Sequence, residues 1–163
     1  MKNYRGFTLI ELIMSIGILS ILIGVLTTLF GQILDTSLDS RATSGVDQDG
    51  KFIIARIAYD MQRASSIEIP ATPGSTTSAV LTIKVNSIDY TYDLDGSGNL
   101  RLTNNNGSNN LNSRAIQVSD LTFQRLGIGD TTDNVQVKFK LTSEIRQAKG
   151  FETKSFQTTL GIQ

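Results

Sequence analysis

Twenty consecutive residues without a charge, Leu12 to Gly31, stand behind a short basic opening and a single carboxylate at Glu11. As a helix rising about 1.5 Å per residue, such a run covers about 30 Å, one bilayer hydrocarbon thickness. The opening MKNYRG carries Lys2 and Arg5, which by the positive-inside rule keep the N-terminus in the cytoplasm. A secretory signal peptide needs an apolar core of about 7–15 residues and a small-x-small cleavage site. Here the run is longer and no Ala-x-Ala follows it. A plain signal anchor explains the length but gives no reason for Glu11, because a carboxylate at the head of a membrane helix is costly without a partner.

A cut between Gly6 and Phe7 supplies that partner. It creates an α-amino group four residues, one helical turn, before Glu11. The carboxylate can then neutralise its own amine or that of a neighbouring subunit, and it also sits at the positive end of the helix dipole. The residues Gly6-Phe7-Thr8-Leu9-Ile10-Glu11-Leu12-Ile13 closely resemble the cleavage and methylation signature of type IV pilins and type II secretion pseudopilins. The resemblance implies that Gly6 ends a leader, that Phe7 becomes the N-methylated first residue, and that Glu11 is the acidic residue used in assembly. Gly17, Gly24 and Gly31 recur every seven residues, with Ser20 and Thr28 nearby, and small residues on one face let membrane helices approach closely. Glycine is also simply common in such helices. Many major pilins carry proline at the position of Thr28; its absence favours a pseudopilin or minor pilin.

Beyond Gly31, apolar residues continue at helical spacing through Ile33, Leu34, Leu38, Ala42 and Val46, then Ile53, Ile57, Met61 and Ala64. Gly45, Asp47, Asp49 and Gly50 are poor helix formers, which predicts a kink or break near 45–50. Pro70 and Pro73 are expected to end the helix, with 69–78 as a linker into a head. Strands are predicted at 79–85, where Leu81, Ile83 and Val85 share a face, and at 88–94, with Asn86 and Ser87 as the turn between. In AIQVSDLTFQRL, Ile116 and Val118 have one parity and Leu121 and Phe123 the other, so a bulge is predicted at Ser119 or Asp120. VQVKFKL at 135–141 alternates, and Phe156, Thr158, Leu160 and Ile162 can close the sheet. The fold class is therefore α+β and pilin-like: a long N-terminal helix, half membrane-spanning and half amphipathic, on an antiparallel β-sheet head. The expected division is a leader at 1–6, a transmembrane helix at 7–31, a helical extension at 32–68 and a β-rich head at 69–163. IARIAYDMQRASSI, VSDLTF and VQVKFKL resemble J-type minor pseudopilins and PilW-like minor pilins.

Composition removes several chemistries. The chain has no Cys and no His, which excludes disulfides, thiolate metal sites and nucleophile pairs built on imidazole. Fifteen basic and fifteen acidic residues balance, so no global field draws the chain to nucleic acid. Asp93, Asp95, Ser97 and Asn99 alternate as oxygen donors, like the start of a calcium loop. The bidentate acid such a loop needs is replaced by Asn104, and Asp-Gly and Ser-Gly also make a tight turn. Lys138, Lys140, Arg146, Lys149 and Lys154 outnumber Glu144 and Glu152 near the C-terminus; without interleaved aromatics they read as a solvated sheet face. The Asn-rich stretch 104–113 reads as an exposed loop, and the acidic residues as solvated surface.

The resemblance implies a structural filament subunit of a type IV pilus or type II secretion-type machine, with no catalytic residues and no cofactor. Its partners would be a prepilin peptidase, other pilin or pseudopilin subunits, the inner-membrane assembly platform and membrane lipid; nucleic acid is not expected. The chain would be single-pass in the inner membrane, N-terminus cytoplasmic and head extracytoplasmic, and then part of a periplasmic or surface filament. The rival reading is an anchored extracytoplasmic binding protein, such as a calcium-dependent adhesin, in which Glu11 is dispensable and 93–99 binds the ion. An enzyme with a carboxylate site ranks last.

Overall fold

A computed structural model describes residues 6–74, 77–126, 133–147 and 149–162. The chain is α+β, one long helix followed by antiparallel sheets. Helix α1 runs Leu9–Gln62 and is followed by β1 (Ser66–Ile69), β2 (Thr77–Ser78), β3 (Leu81–Val85), β4 (Ile88–Leu94) and β5 (Leu100–Asn104). Then come β6 (Gly107–Asn110), β7 (Ile116–Arg125), β8 (Asn134–Gln147) and β9 (Gly150–Gly161). The chain divides into two compact units, 1–38 and 39–163. In the first, every described residue up to Thr36 is exposed, and Ser20, Thr27, Thr28 and Thr36 each turn their hydroxyl back to the carbonyl four residues earlier.

In the second unit the strands form two sheets rather than the single one expected. One has the order β1-β3-β4-β5-β6 and the other β2-β7-β8-β9, all antiparallel. Val46, Ile53, Ile57 and Met61 of α1 share a single apolar cluster with Leu81, Ile83, Val85, Tyr92, Leu100 and Leu102 of the first sheet. Ile116, Val118, Leu121, Phe123, Val135, Val137, Phe139 and Leu141 of the second sheet complete it. Burial of this kind stabilises by about 25 cal/mol per Å² of apolar surface.

The expected break at 45–50 is absent: α1 is helical throughout, because the poor helix formers there have tertiary contacts. Asp47 pairs with Lys154 at 2.6 Å, and the Asp49 carboxylate accepts the Ser113 N–H at 2.7 Å. Gly50 is buried, and a Cβ there would overlap the Phe156 ring, which stacks on Phe139 at 5.3 Å. The helix does not reach the prolines. It ends at Gln62 with Arg63 N–H and Ala64 N–H bonded to the Asp60 and Met61 carbonyls, a tightened last turn. Ser66–Ile69 then pairs with β3 as a strand.

Asn86 and Ser87 both have positive φ, 50° and 64°, the signature of a two-residue hairpin turn. The phase change in β7 is a bulge: Ser119 faces Lys140, Thr122 faces Lys138, and Asp120 has φ 52°. Apolar residues of both parities are thereby buried. Two expectations are corrected. The 69–78 linker contains β2, which pairs with Gln124 and Phe123, while Arg125 donates to the Ala71 carbonyl. The Asn-rich stretch is a β5–β6 hairpin followed by buried Leu111 and Asn112. Asn112 accepts the Leu100 N–H at 2.9 Å and donates to the Ile116 carbonyl at 2.6 Å, which joins the two sheets.

Asp60 also departs from the surface reading. It is fully buried, bonded to Arg56 at 2.9 Å and to the Tyr92 hydroxyl at 2.5 Å. Burial first, then this carboxylate, pushes the Tyr92 hydroxyl well up, so it stays protonated and donates. The i,i+4 spacing of Arg56 and Asp60 is the one sign of this pair in the sequence.

Candidate processing and assembly site

The described chain opens with Gly6, Phe7 and Thr8 outside the helix, and α1 starts at Leu9. Phe7 is 81% exposed, and a Cβ at Gly6 would meet nothing within 4 Å. The fold itself thus places no demand on glycine at position 6. Lys2 and Arg5 lie outside the described residues.

Thr8 caps the helix. Its Oγ1 accepts the Glu11 N–H at 3.4 Å, and the Glu11 carboxylate accepts the Thr8 N–H at 3.5 Å and the Thr8 hydroxyl at 3.4 Å. This is the reciprocal capping box that Thr-x-x-Glu encodes; the pattern stands in the sequence, where the charge of Glu11 alone does not reveal it. The carboxylate satisfies an orphan N–H and also stands at the helix's positive end. Among the described residues it has no cationic partner.

The profile of the prokaryotic N-terminal methylation motif matches residues 1–27. The N-terminus is type IV pilin-like. Comparison with curated proteins and with solved structures returned no match. The motif implies processing by a prepilin peptidase and assembly with other pilins, and it marks a structural protein. The pilin-like helix is long and apolar enough to cross a membrane, and with the motif this makes the chain a membrane-anchored protein. Its glycines at 17, 24 and 31 face open space.

In the rest of the chain, the calcium candidates Asp93, Asp95, Ser97 and Asn99 lie in a braced turn. Asp93 faces Arg101 across the β4–β5 ladder and pairs with it at 2.5 Å. Asp95 makes three bonds: one oxygen accepts the Ser97 and Asn99 N–H groups and the other the Asn99 side-chain amide, all at 2.8 Å. The Asn99 side chain, then its N–H, hold the Asp95 carboxyl below its ordinary range. Gly98 takes φ 80°, and its carbonyl accepts the Val118 N–H at 2.8 Å. Among the described residues no group of three or more acidic side chains could hold a metal ion. The basic residues also disperse: Lys154 binds Asp47, and Lys140 binds Asp120 at 3.1 Å.

Proposed function

We propose that this chain is a minor pilin or pseudopilin, a structural subunit of a type IV pilus or type II secretion-type filament. A prepilin peptidase cuts after Gly6 and methylates Phe7; residues 1–6 leave as the leader, and 7–31 hold the subunit in the inner membrane with its head extracytoplasmic. The subunit then passes into a filament whose core is made of packed helices, and Glu11 pairs there with an N-terminal amine. The observation that carries the reading is the motif at residues 1–27. An exposed Gly6–Phe7 bond one turn before a carboxylate that lacks a cation among the described residues supports it. The role is one of packing rather than catalysis.

The capping box offers a purely local explanation of Glu11, and two substitutions separate it from assembly. Glutamine completes a capping box as glutamate does but carries no charge. Glu11→Gln is therefore expected to keep the cap and membrane insertion and to lose filament incorporation as fully as Glu11→Val, scored by shearing and immunoblotting of filaments. Normal assembly of Glu11→Gln alongside failure of Glu11→Val would reduce Glu11 to a cap.

A further inference from the structure

Three dipeptides of this chain can close the same five-membered ring: Asp49-Gly50, Asp95-Gly96 and Asn106-Gly107. In each, the glycine nitrogen can attack the side-chain carbonyl carbon of the residue before it. Glycine permits the approach because it has no Cβ and reaches backbone conformations closed to other residues. The fold treats the three differently. Asp49 lies in α1, its carboxylate accepts the Ser113 N–H at 2.7 Å, and Gly50 is buried against the Phe156 ring. Asp95 accepts the Ser97 and Asn99 N–H groups and the Asn99 side-chain amide, all at 2.8 Å. The Asn99 side chain, then its N–H, keep that carboxyl below its ordinary range, so it stays an anion, which a nucleophile attacks poorly.

Asn106 meets no such restraint. With Asn105 it makes the exposed turn between β5 and β6, and its N–H is bonded to the Asn104 side-chain oxygen at 2.9 Å. Among the described residues its own side-chain amide has no hydrogen-bond partner. Gly107 holds φ 114°, and a Cβ there would meet nothing within 4 Å. β6 is the outermost strand of its sheet, four residues long with every side chain exposed. Its side-chain tie to β5 is the exposed Thr103–Ser108 hydroxyl pair at 3.1 Å. A strand that buries nothing opens locally at small cost, so the pairing of Gly107 with Asn104 across the ladder does not keep the glycine nitrogen from its target.

We propose that Asn106 is a site of spontaneous covalent modification in the folded head, converted through a cyclic imide to aspartate and isoaspartate. The Gly107 nitrogen gives up its proton to solvent and bonds to the Asn106 Cγ; the Cγ–Nδ2 bond breaks and ammonia leaves. Water then opens the ring. Opening at the side-chain carbonyl restores the ordinary backbone as aspartate, and opening at the main-chain carbonyl routes the backbone through the side-chain methylene as isoaspartate. The chain and water are the only reactants, and nothing is oxidised or reduced. Each event leaves a chain of balanced charge net negative. The isoaspartate product also adds one atom to the backbone of the turn, which disturbs the β5–β6 register. The disturbance stops at Leu111, which is buried and whose N–H is bonded to the Leu100 carbonyl at 2.8 Å. An old subunit thereby differs from a new one at one exposed turn.

The test ages the full-length protein in mildly alkaline buffer, folded in detergent or unfolded in urea. Samples taken over days are mapped as peptides by mass spectrometry, with electron-transfer fragmentation to separate aspartate from isoaspartate. In the folded chain Asn106 is expected to convert within about tenfold of its rate in urea, and faster as pH rises, because the attacking nitrogen must lose its proton. Asp49 and Asp95 are expected to form isoaspartate in urea only. Asn106→Gln, whose longer side chain would need a six-membered ring, should stay unconverted in both. An Asn106 that stays intact in the folded chain over the period that converts it in urea overturns the proposal, since the turn then protects it. Conversion of Asp49, Asp95 or another asparagine ahead of Asn106 in the folded chain also overturns it, as does a chain left intact under both conditions.

Discussion

Ser87 holds the left-handed conformation, φ 64°, next to Asn86 at 50°. Asparagine tolerates this region, whereas a serine Cβ crowds the following carbonyl at a cost of about 1 kcal/mol. Ser87→Gly should therefore raise stability by about 0.5–1 kcal/mol, measured by chemical denaturation of the full chain in detergent; an unchanged or lower midpoint would contradict the turn. Asp95 makes a prediction about acid. Its carboxyl is depressed in the fold, so the stability it gives is complete above the unfolded value, about pH 4, and drains away as pH falls through the folded value. Over that acid range, Asp95→Asn should lose stability less steeply than the parent chain. The same three acceptor bonds imply that millimolar calcium leaves the unfolding midpoint where it was.

Among the elements, two glycines of α1 should respond to alanine with opposite sign. Alanine is favoured over glycine in a helix by about 1 kcal/mol. At Gly45 the added Cβ meets only Ile116 Cδ1 at 3.7 Å, an ordinary contact, so Gly45→Ala should stabilise by up to about 1 kcal/mol. At Gly50 the same methyl runs into the Phe156 ring, and overpacking of about 1–3 kcal/mol should make Gly50→Ala destabilising. Equal shifts at the two sites would disprove the packing of β9 on the helix. This is also where the sequence misleads: propensity makes both glycines look like breakers, because the ring that requires Gly50 lies 106 residues away in sequence. Strands with an alternating apolar face, β3, β4 and β8, are legible by that alternation, and β7 by its change of phase. The edge strand β6, GSNN, has no buried side chain and so no pattern to read, and β1 is hidden in the tail of the helical periodicity.

At the scale of the whole molecule, the apolar run and the Gly6-Phe7…Glu11 spacing make the anchor and the motif readable from the first lines of the sequence. Both depend on local order along the chain. The division into two sheets is not readable, since it is fixed by which strands pair, and the polar side chains that tie the parts together, Asn112 between the sheets and Asp60 from the helix to Tyr92, carry no pattern of their own. Those polar groups look like surface until the fold encloses them. The head thus supplies a packed body, and the N-terminus supplies the chemistry that others act on. The most direct test of that account is the intact mass and N-terminal residue of the chain expressed with and without a prepilin peptidase. A mature chain beginning at methylated Phe7, formed only with the peptidase, is the predicted result; an uncut chain, or one cut elsewhere, would contradict it.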